Sequence, residues 1–173
     1  MRRLILTLAL VLGFAVAAEA QNYAVVNSEK IFKSIESYNA AISELDKLAN
    51  DYQKQVDEKF EEVEKLYNAY MERRNQLNAA SQQANEENIL KLEEEATKFQ
   101  EAIFGTDGEL MKKRLEMIQP IQKRVFDTIE SYAKQKGYDM IIDVSQNATM
   151  LYYSSKADQT EAIIALLKKS NAN

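Results

Sequence analysis

The sequence predicts a mostly helical α+β protein in which a small β-strand body carries a long antiparallel helical hairpin, a coiled-coil arm. Three observations predict it. From Ser28 to Phe104 there is neither Gly nor Pro. Through that stretch the apolar residues recur at steps of three and four, the spacing of a coiled-coil seam. Short runs of strand-forming residues flank the helical region at both ends. A thin pair of helices encloses almost no interior, so it suits holding or spacing better than building a catalytic pocket.

Met1, Arg2 and Arg3 give the chain a positive start, Leu4 to Ala18 form an almost unbroken apolar run, and Ala18-Glu19-Ala20 has the small-x-small form of a cleavage site. Residues 1–20 are therefore expected to be a signal peptide removed before Gln21, with the remainder exported to a periplasm or beyond. An apolar run of about 15 residues is short against the roughly 20 that span a bilayer, which argues against an anchor. No later run is long enough either, so stable membrane insertion is not expected. The chain has no Cys, so a mature N-terminus lacks the thiol for lipid attachment and no disulfide can staple the fold. With 27 acids against 22 bases the net charge is −5, the wrong sign for a general nucleic-acid binder.

In chain order, Tyr23-Ala24-Val25-Val26-Asn27 reads as a strand buried on both faces, and Ser28 as the N-cap of the first helix. The seam then passes through Ile31, Ile35, Tyr38, Ile42, Leu45, Ala49, Tyr52, Val56, Phe60, Val63, Tyr67, Tyr70, Arg74 and Leu77. Its mean step of about 3.5 residues implies a left-handed supercoil. Between Asn75 and Asn88 it dissolves into Asn, Gln, Ser and Ala, and a new seam begins at Ile89, Leu92, Ala96, Phe99 and Ile103. The tip of the hairpin is thus expected near residues 80–85, giving limbs of roughly 50 residues and an arm of some 70 to 80 Å.

The returning limb holds Gly105, Gly108 and Pro120, although the apolar pattern resumes with Leu110, Leu115, Ile118, Ile121, Val125, Ile129 and Tyr132. An interior Pro removes a backbone hydrogen bond and crowds the preceding turn, so a bend is expected near Pro120; the two glycines make a second bending point. Gly137 suits the position after a helix end. Tyr138 to Val144 reads as a strand, with Thr149 to Tyr153 as its hairpin partner. Asp158, with Glu161 three residues on, looks like a capping box for a short helix bearing Ile163, Leu166 and Leu167. The body is thus residues 21–28 and 137–173, and the arm, 29–136, is an insertion in it.

Three strands and a short helix bury little apolar surface alone. Val25, Val26, Ile141, Ile142, Val144, Leu151 and Tyr153 are nevertheless dense enough to need covering, and association of several bodies would cover them.

The chain has neither His nor Cys, which removes the usual general base, thiol nucleophile and metal ligands. Acid clusters such as Glu61-Glu62 and Glu93-Glu94-Glu95 read as a solvated helix face, and Gly105-x-x-Gly108 lacks the context of a phosphate loop. No enzymatic activity, cofactor or metal is expected. Aromatics on the seam are taken as coiled-coil core. The candidates for an adhesive surface are apolar residues off the seam: Leu48, Leu66, Met71, Leu90, Phe104 and Met111, with Met suited to varied partners because its flexible side chain repacks cheaply. Charge is uneven along the arm: Glu44 to Lys65 holds eight acids against four bases, whereas Lys112 to Lys136 holds seven bases against three acids. A basic stretch near the body could draw an acidic partner inward; a solvated charged face is the plainer reading.

The leader, Tyr23-Ala24-Val25-Val26-Asn27, the helical arm, and Pro120-Ile121 leading to Lys136-Gly137-Tyr138-Asp139-Met140-Ile141-Ile142-Asp143 together resemble the Skp/OmpH family of periplasmic chaperones. The resemblance implies a homotrimer whose strands form a compact body and whose helical arms hang from it like tentacles. It implies an ATP-independent holdase that keeps unfolded outer-membrane β-barrel proteins from aggregating in the cavity between the arms. The best-known members are strongly basic and this chain is acidic, which argues against lipopolysaccharide binding through a basic patch; no such site is carried over. A structural coiled-coil spacer or adaptor in the cell envelope remains the alternative.

Overall fold

The computed structural model describes residues 22–146 and 149–170. The leader assigned to residues 1–20 lies outside them. The elements in order are β1 (Tyr23–Val26), α1 (Ser28–Lys33), α2 (Glu36–Arg73), α3 (Ala79–Phe104), α4 (Glu109–Lys136), β2 (Met140–Asp143) and α5 (Thr160–Ser170), with a 3₁₀ turn at Arg74–Gln76. The class is as expected: long helices with a small sheet.

The helical run from Ser28 is nevertheless interrupted at once, without Gly or Pro. The N-cap is Asn27 rather than Ser28: its side chain accepts from the Lys30 amide at 2.9 Å. α1 ends where the Ser34 hydroxyl donates to the Ile31 carbonyl at 2.7 Å, a side-chain bond that competes with helix continuation. Ile35 is extended and only 3 % exposed; leaving the helix lets it join Ile31 in the core of the body.

α2 packs along both α3 and α4, so the returning limb is two helices. Leu45, Val56 and Tyr70 are buried from α2, facing Ile89, Ala96 and Ile103 from α3 and Ile118 from α4, as the seam predicts. Three seam assignments fail: Tyr67 and Leu115 are 49 % and 45 % exposed, and Arg74 is exposed as well. The tip also differs, lying at residues 74–78 instead of 80–85. The Asn78 side chain caps α3 by accepting from the Ser81 amide at 2.9 Å. The Gln82 amide then donates to the Arg74 and Leu77 carbonyls at 2.8 and 3.1 Å. Once capped, the Ala, Ser and Gln residues after it propagate a helix, so polarity there marks a solvated first turn, not the loop. α2, with 38 residues, is about 57 Å long, and the arm is shorter than expected.

α3 ends at Phe104 and α4 begins at Glu109. Between them the Gly105 amide bonds the Glu101 carbonyl at 2.8 Å and the Gly108 amide bonds the Gly105 carbonyl at 2.9 Å. Pro120 lies on the exposed face within α4, which is helical on both sides of it. At the far end Gly137 takes a left-handed φ of 68°, the conformation that a glycine supplies after a helix.

β1 and β2 pair in parallel, Tyr23 with Met140 through Val26 with Asp143, so the whole arm is the crossover between them. The far edge of β1 is taken by the segment before α5: the Val25 amide bonds Ala157 O at 2.8 Å, and the Gln159 amide bonds Val25 O at 2.9 Å. The hairpin expected between residues 138–144 and 149–153 is therefore not formed, and residues 149–153 are not a strand. Proximity in sequence favours a hairpin, but the covered edge here is the one beside α5. Val25 and Val26, 5 % and 3 % exposed, belong to the chain's own core. Ile141, Ile142 and Val144 are half-buried, and Leu151 and Tyr153 are exposed.

The core joins Val26, Ile31, Ile35, Val125, Tyr132, Ile163, Ile164 and Leu167, with Ala41, Leu45 and Ile118 forming a second cluster at the root of the arm. Asp158 opens α5 through Thr160, whose amide and hydroxyl donate to its carboxylate at 2.9 and 2.6 Å. The same hydroxyl oxygen accepts from the Asn27 amide at 2.9 Å, tying the two helix starts together.

Asp143, at the end of β2, accepts from the amides and hydroxyls of Ser28 and Ser145. Burial alone would raise its carboxyl, but these bonds outweigh it and hold the group below the ordinary value. A depressed carboxyl stabilises the fold fully above its unfolded pKa and loses that contribution as pH falls through the folded one. Asp143→Asn is therefore expected to cost about 1 kcal/mol near neutral pH, a modest figure because the site is exposed. Thermal melts at descending pH should show the gap to wild type closing; a constant gap would deny the linkage.

Candidate binding surfaces of the arm

Five of the six off-seam apolar residues are exposed: Leu66, Met71, Leu90, Phe104 and Met111, from 36 % to 64 %; Leu48 is half-buried. Near the tip α2 and α3 bring Tyr67, Met71 and Leu90 into one open groove above Ile89. Its floor is fixed by a polar set. The Tyr70 hydroxyl donates to Glu86, and Arg74 Nε donates to the Tyr70 oxygen at 3.2 Å while lying 3.8 Å from Glu86. The Glu86 hydrogen bond raises the Tyr70 phenol, and the Tyr70 contact raises the Arg74 guanidinium. These bonds hold the apolar rim in place without enclosing it.

A second open groove lies on α4, where Leu115, Pro120 and Phe126 share one side. Phe126 is 57 % exposed and meets Phe32 edge-on at 6.4 Å. Sequence reasoning missed both outer residues. Leu115 fits a seam register, and Phe126 follows the buried Val125; the choice between them depends on how the break at Gly105–Gly108 rotates α4 about its axis. On the opposite side of the arm root, Leu48 sits with Met117 among Glu44, Lys47, Asp51, Lys113 and Glu116.

Residues 22–167 match the family described as outer membrane protein (OmpH-like). The chain belongs to the OmpH-like family. A protein of Aquifex aeolicus (strain VF5), named only as uncharacterized, is 26 % identical over 148 residues, covering 86 % of each chain. The family match takes in both strands, both limbs and most of α5, and so every exposed apolar residue named above.

The acids of this OmpH-like arm behave as a solvated face. Glu61 pairs with Lys65 at 3.5 Å, and Lys98 beside Glu94 lowers that carboxyl. The basic stretch near the body is partly neutralised: Lys113, Lys123 and Lys134 pair with Glu116, Asp127 and Glu130. That weakens it as a long-range attractor for anions. Among the described residues no helix is long and apolar enough to cross a membrane.

Proposed function

We propose that this OmpH-like protein is an ATP-independent, non-enzymatic chaperone of the periplasm that holds unfolded outer-membrane β-barrel proteins between the arms of a homotrimer. The observation that carries this reading is a two-limbed arm on which exposed apolar side chains, Met71 and Leu90 near the tip and Leu115 and Phe126 near the root, lie in open grooves. Such grooves give many weak contacts and no deep pocket, so a held chain can leave without an energy source. The absence of a phosphate-binding glycine loop and of His and Cys from the sequence agrees with a role without nucleotide or catalysis.

One feature of the body supports self-association. Leu151 and Tyr152 are 95 % and 83 % exposed on the segment leading to α5.

The test is light-scattering mass of the protein from Gln21 onward, alone and mixed with a urea-denatured outer-membrane β-barrel protein diluted into buffer, with turbidity followed in parallel. The expected result is a trimer that suppresses aggregation and carries the client in a stoichiometric complex. An oligomer that leaves the client to precipitate would favour the spacer or adaptor.

A further inference from the structure

The exposed apolar residues of the arm are not spread evenly around it. Each residue turns a helix by about 100°, so side can be counted from the buried seam. On α2, Met71 lies roughly a quarter to a third of a turn from the line of Val56 and Tyr70. On α3, Leu90 and Phe104 lie about a third of a turn from the line of Leu92, Ala96 and Ile103. On α4, Leu115 and Phe126 lie in the same sense from Ile118 and Val125, whereas Met111, seven residues before Ile118, stays close to the seam line. Because α2 runs against α3 and α4, equal senses of rotation bring Met71, Leu90, Phe104, Leu115 and Phe126 to one side of the arm. The grooves agree: Met71 shares one with Leu90, and Leu115 shares the other with Phe126. Leu48 and Leu66 rotate the opposite way, and Leu48 lies among charges.

We infer that this single face, from Met71 at the tip to Phe126 at the root, is the client-holding side of the arm, and that its occupant is an extended apolar segment of unfolded polypeptide. The inference rests on the holding function proposed above and adds which side performs it. A folded partner needs a contiguous patch of about 800 Å² with a packed centre. Here the apolar spots are isolated: Leu90 and Phe104 are about 21 Å apart along the helix, and Leu115 and Phe126 about 16 Å. A second copy docking helix to helix would need apolar residues at alternating three and four steps, but Glu93, Glu94, Thr97 and Glu101 occupy the positions between. An extended chain, at about 3.3 Å per residue, reaches from one spot to the next with five to seven residues and tolerates charge between them.

The chain has no Cys, so single-cysteine variants report one site each. Leu90→Cys and Leu115→Cys on the proposed face, and Leu48→Cys and Leu66→Cys on the other, would carry a photoreactive benzophenone. Each is mixed with a urea-denatured outer-membrane β-barrel protein and irradiated. Labelled proteins are first checked for wild-type helicity and melting temperature, and unlabelled Leu90→Glu with Leu115→Glu serves as a second probe. Expected are crosslinks to the client from Leu90 and Leu115 at roughly tenfold the yield from the other two, and client affinity reduced several-fold by the double Glu variant. Equal yields, or crosslinks from the proposed face to another copy of the chain, would overturn the assignment while wild-type suppression of aggregation left the holding function standing. If wild type fails to suppress aggregation, both fall.

Discussion

Replacing Ile163 by Ala is expected to cost the body about 2–5 kcal/mol. The side chain is fully enclosed and packs in the cluster that joins Val26, Ile31, Val125 and Leu167. That core is assembled from both ends of the chain, so a cavity at Ile163 loosens α1, the root of α4 and α5 together. The loss is large beside a typical domain stability of about 5–15 kcal/mol. Urea unfolding followed by near-ultraviolet dichroism should register it first, since Tyr132 and Tyr138 lie 6.1 Å apart at this core. Far-ultraviolet helicity should fall later, because the arm has its own seam. A cost below about 1 kcal/mol would mean that the site collapses around the smaller side chain and that the body is looser than its packing indicates.

Gly108→Ala is expected to be the most damaging single methyl in the arm. An added Cβ would stand 2.4 Å from the Ile103 carbonyl oxygen and 2.9 Å from the Gly105 nitrogen, both backbone atoms. Relief requires the break between α3 and α4 to open, at about 1–3 kcal/mol or more. The change should also travel. Glu109 starts α4 immediately beyond the break, and its hydrogen bond to Tyr52 of α2 raises that phenol; moving α4 separates the pair. Gly137→Ala is the contrasting control, because nothing lies within 4 Å of a Cβ there and only the left-handed φ of 68° is penalised, at about 1–2 kcal/mol. Thermal melts of the two variants, with spin-label distances from the tip to the root, would measure both effects. If Gly108→Ala melts above Gly137→Ala with unchanged distances, the break is soft and Gly105–Gly108 acts as the hinge that the two glycines suggest in the sequence.

The elements were largely legible in the sequence because most are written in local patterns. Ala96, Val56 and Ile118 announce the seam by spacing, and Gly137 announces the end of α4 by its position. The tip was misplaced because a capped, solvated helical turn and a loop have the same composition; Asn78 decides between them through one hydrogen bond. The candidate surface was half legible. An apolar residue off the seam is recognisable, but Leu115 and Phe126 were hidden by a rotation that spacing alone does not record across Gly105–Gly108.

By itself the sequence determined the helical arm, the apolar seam that packs its limbs, the strands at its root and the exclusion of His and Cys chemistry, since each follows from residue type at short separation. Only the tertiary structure decided that β1 and β2 pair in parallel, that the segment before α5 takes the edge where a hairpin strand was expected, that Val25 and Val26 belong to the chain's own core, and that Met71 shares a groove with Leu90 and Leu115 with Phe126. These depend on which surfaces meet across more than a hundred residues of intervening chain. Such meetings are set by competition for buried area and for open backbone hydrogen bonds, and that competition is settled only when the whole chain is folded.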